Sequence, residues 1–367
     1  AARAPAAPGA PSARRRVCGR RELGTLLGAC AWRLRCSGRG MILPTASTSS
    51  PQRPSRYYRD FLELLPSMEG KAVVVTGASR GLGFVTALAV AGKGASVYML
   101  SRKSQRSVDA VSEVSAAATG AAPRFVECDH LDFSSVRAAA DELKAEAAAG
   151  IDVLCCNAGV MLQPDLPSKD GYDVTISTNV LSHFLLAREL MPLLERAASL
   201  RGEARLVSMS SASAAGPPSF DARFFAQSGG RLGGPPCSYE RYHQSKLANL
   251  LFTCAADQRL RRRGSPVKAL ACTPGVCATD MFVHAMSMMQ PDRSTDLSAV
   301  ASVEDGCLAQ LKCICDPTVQ SGELYGPPWG GGFPVKVAMV PPNYLVDDDA
   351  QLRLWESCER AVGSFDL

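Results

Sequence analysis

Hydrophobic and polar positions follow a regular alternation from about residue 71 to the C-terminus. Short apolar runs alternate with longer amphipathic or small-residue stretches. Apolar runs of this length predict buried strands, and the stretches between them are long enough to form helices. Six strands are predicted in this way, at 72–75, 95–100, 124–126, 151–155, 205–209 and 268–272, and a seventh is expected nearer the C-terminus.

This alternation predicts the fold class. Strands that alternate with helices form a parallel sheet that is covered by helices on both faces. We therefore predict an α/β protein with a single doubly wound, Rossmann-type domain over residues 69–367, whose mostly parallel sheet has about seven strands. The pattern indicates neither an internal repeat nor a second domain.

Residues 1–68 follow a different pattern. Residues 1–59 contain twelve Arg, no Lys and one acidic residue, Glu22. An Arg-rich, acid-poor N-terminus is typical of organelle targeting, so we predict that 1–68 is a basic, disordered leader. The expected destination is a plastid or mitochondrion, with a cytoplasmic or endoplasmic-reticulum-associated location as the alternative. Position 1 is Ala and the first Met is Met41, so an error in the gene assignment is the other explanation of this stretch. A short amphipathic segment at 57–65, ended by Pro66, is expected to pack on the domain edge.

Composition and charge narrow the function classes. The chain has 367 residues and a net charge of +5, but the residues after the first 59 hold 28 basic and 34 acidic side chains. The overall basicity therefore belongs to the leader and gives no reason to expect nucleic-acid binding. No apolar run reaches the roughly 18–20 residues of a membrane span, so at most peripheral membrane association is expected. Homo-oligomerisation remains possible. The fourteen cysteines are not spaced as zinc-binding pairs, so we expect reduced thiols and no metal.

A glycine-rich segment separates the first predicted strand from the first predicted helix. Gly77 permits a tight turn, Gly81 lets backbone amides approach a pyrophosphate, and Gly83 allows the helix to pack on the sheet. A strand–turn–helix context of this kind predicts a dinucleotide site. The predicted cofactor-binding residues of the segment are Gly77, Ser79, Arg80, Gly81, Leu82 and Gly83.

The end of the second predicted strand indicates which dinucleotide binds. An acidic residue there would bind a ribose 2′-hydroxyl and repel a 2′-phosphate, but this strand ends in Ser101, Arg102 and Lys103. Ser101 and Arg102 can hold the phosphate, with Arg80 as a second cation. We therefore predict NADP(H) as the cofactor. The alternative is that Arg102 and Lys103 are solvated residues at the start of a helix.

One pair of residues predicts proton transfer. Tyr242 and Lys246 are four residues apart in a helical stretch, so they project from one face. A nearby ammonium favours the phenolate, which lowers the pKa of the phenol toward working pH. Tyr239 is no equivalent, because the residue four positions later is His243, which lacks a permanent charge at neutral pH. Ser211, at a strand end, can hydrogen-bond a substrate oxygen and hold it against Tyr242.

The G-x3-G-x-G spacing and further motifs in the same order resemble the short-chain dehydrogenase/reductase family over roughly residues 69–367. These motifs are Asn157-Ala-Gly159, Thr178-Asn179, Ser210-Ser211, Tyr242-x3-Lys246, and Pro274-Gly-Val276 with Thr279. The resemblance implies hydride transfer between nicotinamide and a carbonyl or alcohol, with Tyr242 moving the proton and Asn179 ordering a water beside the lysine. The implied catalytic residues are Asn179, Ser211, Tyr242 and Lys246. The implied cofactor contacts are Asp129, Asn157, Ala158, Gly159, Tyr242, Lys246, Pro274, Gly275, Val276 and Thr279. His130 stands where relatives usually carry an apolar residue.

Within this family the chain is most similar to the retinol dehydrogenase-like group, on segments 179–186, 242–253 and 354–358. This similarity implies a small apolar substrate, such as a retinal-like or lipid-derived aldehyde or ketone. One alternative is a light-dependent protochlorophyllide reductase. Those enzymes carry Cys directly after the Pro-Gly pair, where this chain has Val276, and they have a longer insertion before the tyrosine. A second alternative is a non-catalytic NADP-binding scaffold.

Two expectations concern the substrate side of the site. Cys277 is expected to be a small buried residue rather than a proton donor. The apolar segment 282–289 falls where the resemblance places a substrate lid, and an ordinary core helix is the alternative interpretation.

Overall fold

A central sheet organises the molecule. The computed structural model describes residues 53–228, 231–232, 237–289, 297, 300–338 and 347–367. Within these residues the strands are β1 (Ala72–Thr76), β2 (Ser96–Ser101), β3 (Arg124–Glu127), β4 (Val153–Cys156), β5 (Ala204–Met209), β6 (Val267–Cys272), β7 (Leu324–Gly326) and β8 (Val335–Lys336). Their spatial order is β3-β2-β1-β4-β5-β6-β7-β8, and only the β7–β8 pair is antiparallel.

This sheet confirms the predicted fold class. All six predicted strands are present, and β7 is the expected seventh. The two-residue edge strand β8 was not predicted, because no apolar run marks it in the sequence. Every residue of β4 and β5 is buried, as expected for a parallel sheet with helices on both faces. The strand order reverses at β1, which pairs with both β2 and β4. A ligand crevice opens at such a switch point, at the carboxyl ends of the strands.

Helices cover both faces of the sheet. They are α1 (Tyr58–Leu64), α2 (Gly81–Gly92), α3 (Gln105–Ala117), α4 (Phe133–Glu146), α5 (Val174–Ile176), α6 (Ser182–Arg201), α7 (Ser238–Arg262), α8 (Asp280–Met289), α9 (Val303–Gly306), α10 (Leu308–Cys315) and α11 (Asp348–Val362). A π-helical turn, Ser177–Leu181, joins α5 to α6. One apolar layer is formed mainly by α4, α6, α7 and α11, and the other by α1, α2, α3 and α10. In the part of the chain that is described, no helix is long and apolar enough to cross a membrane.

The segment before β1 packs on the domain. The predicted amphipathic segment contains the helix α1, which buries Phe61 in the second apolar layer together with Leu65. The Asp305 carboxylate accepts hydrogen bonds from the backbone N–H groups of residues 56–58. The packed part of the chain therefore extends N-terminally of the predicted boundary at residue 69. Residues 1–52, which make up most of the leader predicted over 1–68, lie outside the described residues.

Both edges of the sheet carry charged side chains. At one edge β3 exposes Arg124 and Glu127. At the other edge both residues of β8 are exposed, and the Lys336 ammonium pairs with the Glu323 carboxylate. These edge strands are short, with four and two residues.

Candidate active site

The glycine-rich turn joins β1 to α2 at the switch point. Gly77 and Gly81 have φ angles of +66° and +57°, which L-residues with a side chain adopt only with strain. A Cβ atom at Gly83 would lie 2.5 Å from the Gly77 carbonyl oxygen and 2.5 Å from the Asn157 Nδ2 atom. The turn and the first helical residues therefore pack as the sequence predicted.

The start of α2 fits an anion. Its N-cap residue, Arg80, makes no side-chain capping hydrogen bond, and the first turn contains no acidic residue. A Cβ at Gly81 would meet no atom within 4 Å, so the space beside this first helical residue is open. Helix N–H groups without a capping side chain, at the positive end of the helix dipole, are suited to a phosphate. Of the remaining turn residues, Ser79 borders a groove that also contains Arg106, and Leu82 packs toward Gly306.

The ends of β1 and β4 are tied together by Thr76. Its Oγ1 atom accepts hydrogen bonds from the backbone N–H groups of Asn157 and Ala158, both at 2.9 Å. The Asn157 Nδ2 atom donates to the Thr76 carbonyl oxygen at 2.8 Å. A Cβ at Gly159 would lie 3.4 Å from Asn179 Oδ1 and 3.6 Å from Lys246 Nζ. The predicted Asn157-Ala-Gly159 motif thus connects the glycine-rich turn with the catalytic candidates.

The end of β2 lies against the same turn. The backbone N–H groups of Gly77 and Ala78 donate to the Leu100 carbonyl oxygen at 2.8 and 3.3 Å. Ser101 ends the strand, and Arg102 follows it with an exposed side chain. Arg80 is also exposed, and its guanidinium lies 3.8 Å from the Asp280 carboxylate. We call this arrangement the cradle: residues 77–83 together with the ends of β2 and β4.

Asp129 and His130 follow β3. Asp129 Oδ1 accepts a hydrogen bond from the Leu131 N–H at 3.0 Å. The His130 ring is buried, and its Nδ1 atom lies 2.9 Å from the Ser182 Oγ atom in α6. Burial lowers the pKa of His130 to about 4, so the ring is neutral at physiological pH. A polar residue is accommodated at this position because α6 supplies a hydrogen-bonding partner.

Asn179 lies at the centre of the π-helical turn and is fully buried. Its Oδ1 accepts from the Val160 N–H at 2.8 Å, and its Nδ2 donates to the Val160 carbonyl oxygen at 3.0 Å. Nδ2 also lies 2.9 Å from the Ser245 Oγ atom in α7. π-turns inside helices often mark functional positions, and this one directs Asn179 toward α7.

Tyr242 and Lys246 lie on one face of α7, as the spacing predicted. Both side chains are buried, and the Lys246 Nζ atom is 5.6 Å from the centroid of the Tyr242 ring. The Nζ atom donates to the Met209 carbonyl oxygen at 3.1 Å. Ser211, just after β5, hydrogen-bonds to Tyr242. Its Oγ atom also accepts from the Ser213 N–H at 3.2 Å.

Burial decides the protonation of this pair. It raises the pKa of Tyr242 to about 12, against an opposing hydrogen bond from Ser211, and it lowers the pKa of Lys246 to about 8. The sequence predicted a lowered pKa for Tyr242, and in this structure that direction is wrong. The reason is that the ammonium faces the ring and the Met209 carbonyl, while the phenol is removed from water.

The segment after β6 forms another wall of the site. Gly275 has a φ of +68°, and a Cβ there would lie 2.8 Å from Pro327 Cγ. After Pro274 and Gly275 comes Val276, which is 60% exposed. Thr279 Oγ1 accepts from the Phe282 N–H at 3.3 Å, at the start of α8. Cys277 is buried, and burial raises the pKa of its thiol to about 12, which fits the expected packing role.

The helix α8 is not an ordinary core helix. Of its residues, only Ala285 is buried. Met288 is 38% exposed, and Trp329, on the loop that begins beside Gly275, is 91% exposed. Val276, Met288 and Trp329 are exposed apolar side chains on the segments that follow β6 and β7, and we call these three residues the apolar rim. Exposed apolar side chains beside a site favour apolar ligands.

Sequence reasoning missed three buried polar residues that organise the site. Thr76 ties β1 to β4, and His183 contacts both Thr76 and Asn179. Arg241 is fully buried, with its guanidinium 2.8 Å from the Asp165 carboxylate and 3.3 Å from the Asp173 carboxylate. This ion cluster anchors the start of α7, next to Tyr242, to the segment after β4. Arg241 directly precedes Tyr242, and His183 is four residues after Asn179, so the positions of Arg241 and His183 beside predicted site residues were the available signal.

Comparisons with known proteins agree with this geometry. A family model described as short chain dehydrogenase matches residues 71–222. A polyprenol dehydrogenase of Mus musculus is 30% identical, over 82% of this chain and 86% of its own. Retinol dehydrogenase 12 of Mus musculus is 37% identical, over 58% of this chain and 63% of its own. The crystal structure of an uncharacterized protein from Mycobacterium paratuberculosis superposes with a TM-score of 0.66 at 29% identity, covering 86% of this chain and 100% of that one.

Proposed function

Because this chain is an oxidoreductase of the short-chain dehydrogenase/reductase family, we propose that it transfers a hydride between NADP(H) and a carbonyl or alcohol carbon of an apolar substrate. One observation carries the proposal: Tyr242, hydrogen-bonded to Ser211, lies with Lys246 at the carboxyl edge of the sheet beside the cradle. This arrangement supports a role for Tyr242 as a proton donor beside a turn that suits a phosphate.

The cradle fits NADP(H). The uncapped start of α2 suits a pyrophosphate, and two exposed guanidinium groups, Arg80 and Arg102, suit a 2′-phosphate near Ser101. In the described residues at the end of β2, no acidic side chain opposes that phosphate. Asp129, Asn157 and the 274–279 segment would complete the binding site. When bound, the nicotinamide ring supplies or accepts the hydride.

The protein's own residues handle the proton. With its pKa raised to about 12, Tyr242 is protonated at neutral pH, so its hydroxyl can donate to the oxygen of a carbonyl substrate. Ser211 holds that oxygen against the phenol. Lys246, with its pKa lowered to about 8, gives up a proton readily and can restore the phenol. Reduction is therefore the direction that the resting protonation state favours.

The apolar rim supports an apolar substrate. Val276 and Met288 offer hydrocarbon and thioether surface, and Trp329 adds an aromatic side chain. The two mouse relatives are named for polyprenol and retinol, which are both apolar alcohols. A retinal-like or lipid-derived aldehyde or ketone combines this chemistry with a carbonyl that Tyr242 can protonate.

The test is NADPH consumption in complete darkness with all-trans-retinal, farnesal, decanal and butanal. A parallel sample contains protochlorophyllide under illumination. We expect dark turnover that is faster with the long aldehydes than with butanal, and slower with NADH than with NADPH.

Each contrary result points to a different function. Turnover confined to the illuminated pigment would indicate a protochlorophyllide reductase instead. NADPH binding without turnover in either sample would indicate a cofactor-binding scaffold. Equal rates with all four aldehydes would remove the apolar substrate class while leaving the reductase.

A further inference from the structure

His183 joins the cofactor side of the site to the catalytic side. It is buried in α6, four residues after Asn179. Its Nε2 atom lies 2.9 Å from the Thr76 Oγ1 atom, and its Nδ1 atom lies 3.2 Å from the Asn179 carbonyl oxygen. Thr76 in turn holds the start of the Asn157-Ala-Gly159 motif.

The direction of each hydrogen bond between Thr76, His183 and Asn179 follows from counting donors and acceptors. Thr76 Oγ1 accepts from the N–H groups of Asn157 and Ala158, so its two lone pairs are used. Its single proton must then go to an acceptor, and His183 Nε2 at 2.9 Å is nearer than the Cys155 carbonyl oxygen at 3.3 Å. His183 therefore carries its proton on Nδ1, where it donates to the Asn179 carbonyl.

The surroundings of His183 keep its imidazole ring neutral. Burial lowers the pKa of His183 well below its usual value, and the neighbouring His130 ring, 4.9 Å away between centroids, acts in the same direction. A neutral imidazole has one donor and one acceptor, which the Asn179 carbonyl and the Thr76 hydroxyl satisfy.

We propose that His183 is a positioning residue that couples the cradle to Asn179, through one hydrogen bond from Thr76 and one to the Asn179 carbonyl. The bond to that carbonyl fixes the π-helical turn that presents the Asn179 side chain to Val160 and Ser245. The inference rests on the proposed function, because it gives Asn179 a part in that reaction. His183 itself touches no reacting atom.

The first test reads the tautomer directly and needs no turnover. The chain contains four histidines, so protein labelled with ¹⁵N-histidine gives few side-chain signals, and the His183→Asn spectrum assigns the one of interest. Two-bond ¹H–¹⁵N spectra between pH 6 and 8 should show His183 neutral with its proton on Nδ1, and its signal should shift when NADPH is added. A proton on Nε2, a doubly protonated ring or a signal indifferent to NADPH would overturn the proposal.

The second test separates the two hydrogen bonds. In His183→Gln the side-chain amide takes the place of Nε2 and keeps the Thr76 contact, so kcat should fall about ten-fold while the NADPH dissociation constant stays within about two-fold. In His183→Asn the amide takes the place of Nδ1 and keeps the Asn179 contact. The NADPH dissociation constant should then rise about five-fold while kcat stays within about three-fold.

Stability is controlled with a matched variant. Leu185→Ala lies in the same helix, in the apolar layer, and should lower Tm while kcat and NADPH binding stay within about two-fold. If the Gln and Asn variants change kcat and NADPH binding in the same proportion, and in step with Tm, His183 is structural. If the native protein turns over none of the aldehydes, the proposed reaction fails, while the spectra and the NADPH dissociation constants still decide the role of His183.

Discussion

The cradle and the apolar rim are built in different ways. In the cradle, backbone groups are fixed by left-handed glycines and by the Thr76 hydroxyl, so its shape depends on main-chain geometry. The apolar rim consists of exposed side chains on two loops and on a partly buried helix. A cofactor shared by many enzymes can be held by backbone atoms, whereas a particular substrate must be recognised by side chains that can change without disturbing the sheet.

This contrast predicts how substitutions will behave. Changes at the predicted catalytic residues beside the cradle should abolish turnover, changes in the cradle should alter cofactor choice, and changes in the apolar rim should alter only the substrate constants.

The largest effect is expected at Tyr242, which lies with Lys246 beside the cradle. Tyr242→Phe removes the transferable proton and keeps the ring, so kcat/KM for aldehyde reduction should fall about 100-fold or more while NADPH still binds. Steady-state kinetics and NADPH titration measure the two quantities. A variant that retains more than about a tenth of native kcat/KM would show that another group moves the proton.

The cradle is tested next at Arg102. Arg102→Asp replaces an attractive phosphate contact with a repulsive one, so the NADPH dissociation constant should rise about 30-fold while that of NADH changes little. Lys103→Asp, at the adjacent exposed position, is the matched control for charge. Equal weakening of both cofactors, or equal effects of the two variants, would contradict a specific phosphate contact.

The protonation states give a pH dependence of intermediate size. Lys246 loses its proton as pH rises through about 8, while Tyr242 stays protonated to about 12. The rate of carbonyl reduction at saturating NADPH should therefore fall about ten-fold between pH 7 and 9, whereas alcohol oxidation, which needs a proton acceptor, should rise. A reduction rate that stays flat to pH 9 would show that Lys246 does not resupply the proton.

The smallest effect is expected in the apolar rim. Met288→Ala removes partly exposed apolar surface, so KM for all-trans-retinal should rise about three-fold. KM for butanal, which is too short to need that surface, serves as the internal control. An equal rise in both constants would mean that α8 acts on the whole site rather than on substrate choice.

Local rules made much of this molecule predictable. The glycine spacing gave the turn because φ requirements act within a few residues, and the four-residue spacing of Tyr242 and Lys246 gave their common face. The strands were readable because each is a short buried run.

Long-range contacts were not predictable in the same way. The direction in which the pKa of Tyr242 shifts depends on how the whole fold excludes water. The orientation of the Lys246 ammonium depends on the Met209 carbonyl at the end of β5. The π-helical turn at Asn179 and the two-residue strand β8 have no periodic signature. The Thr76–His183 contact joins residues 107 positions apart, so no spacing rule finds it.

The charged edges of the sheet bear on how copies of this protein can meet. A parallel sheet that ended in a long, flat, apolar strand would invite another chain to continue it, and the product would be an aggregate. Here growth is blocked at one end by Arg124 and Glu127 on a four-residue strand, and at the other by Lys336 on a two-residue strand that runs against its neighbour. In the described part of the chain, both edge strands are therefore poor templates for another chain that would extend the sheet.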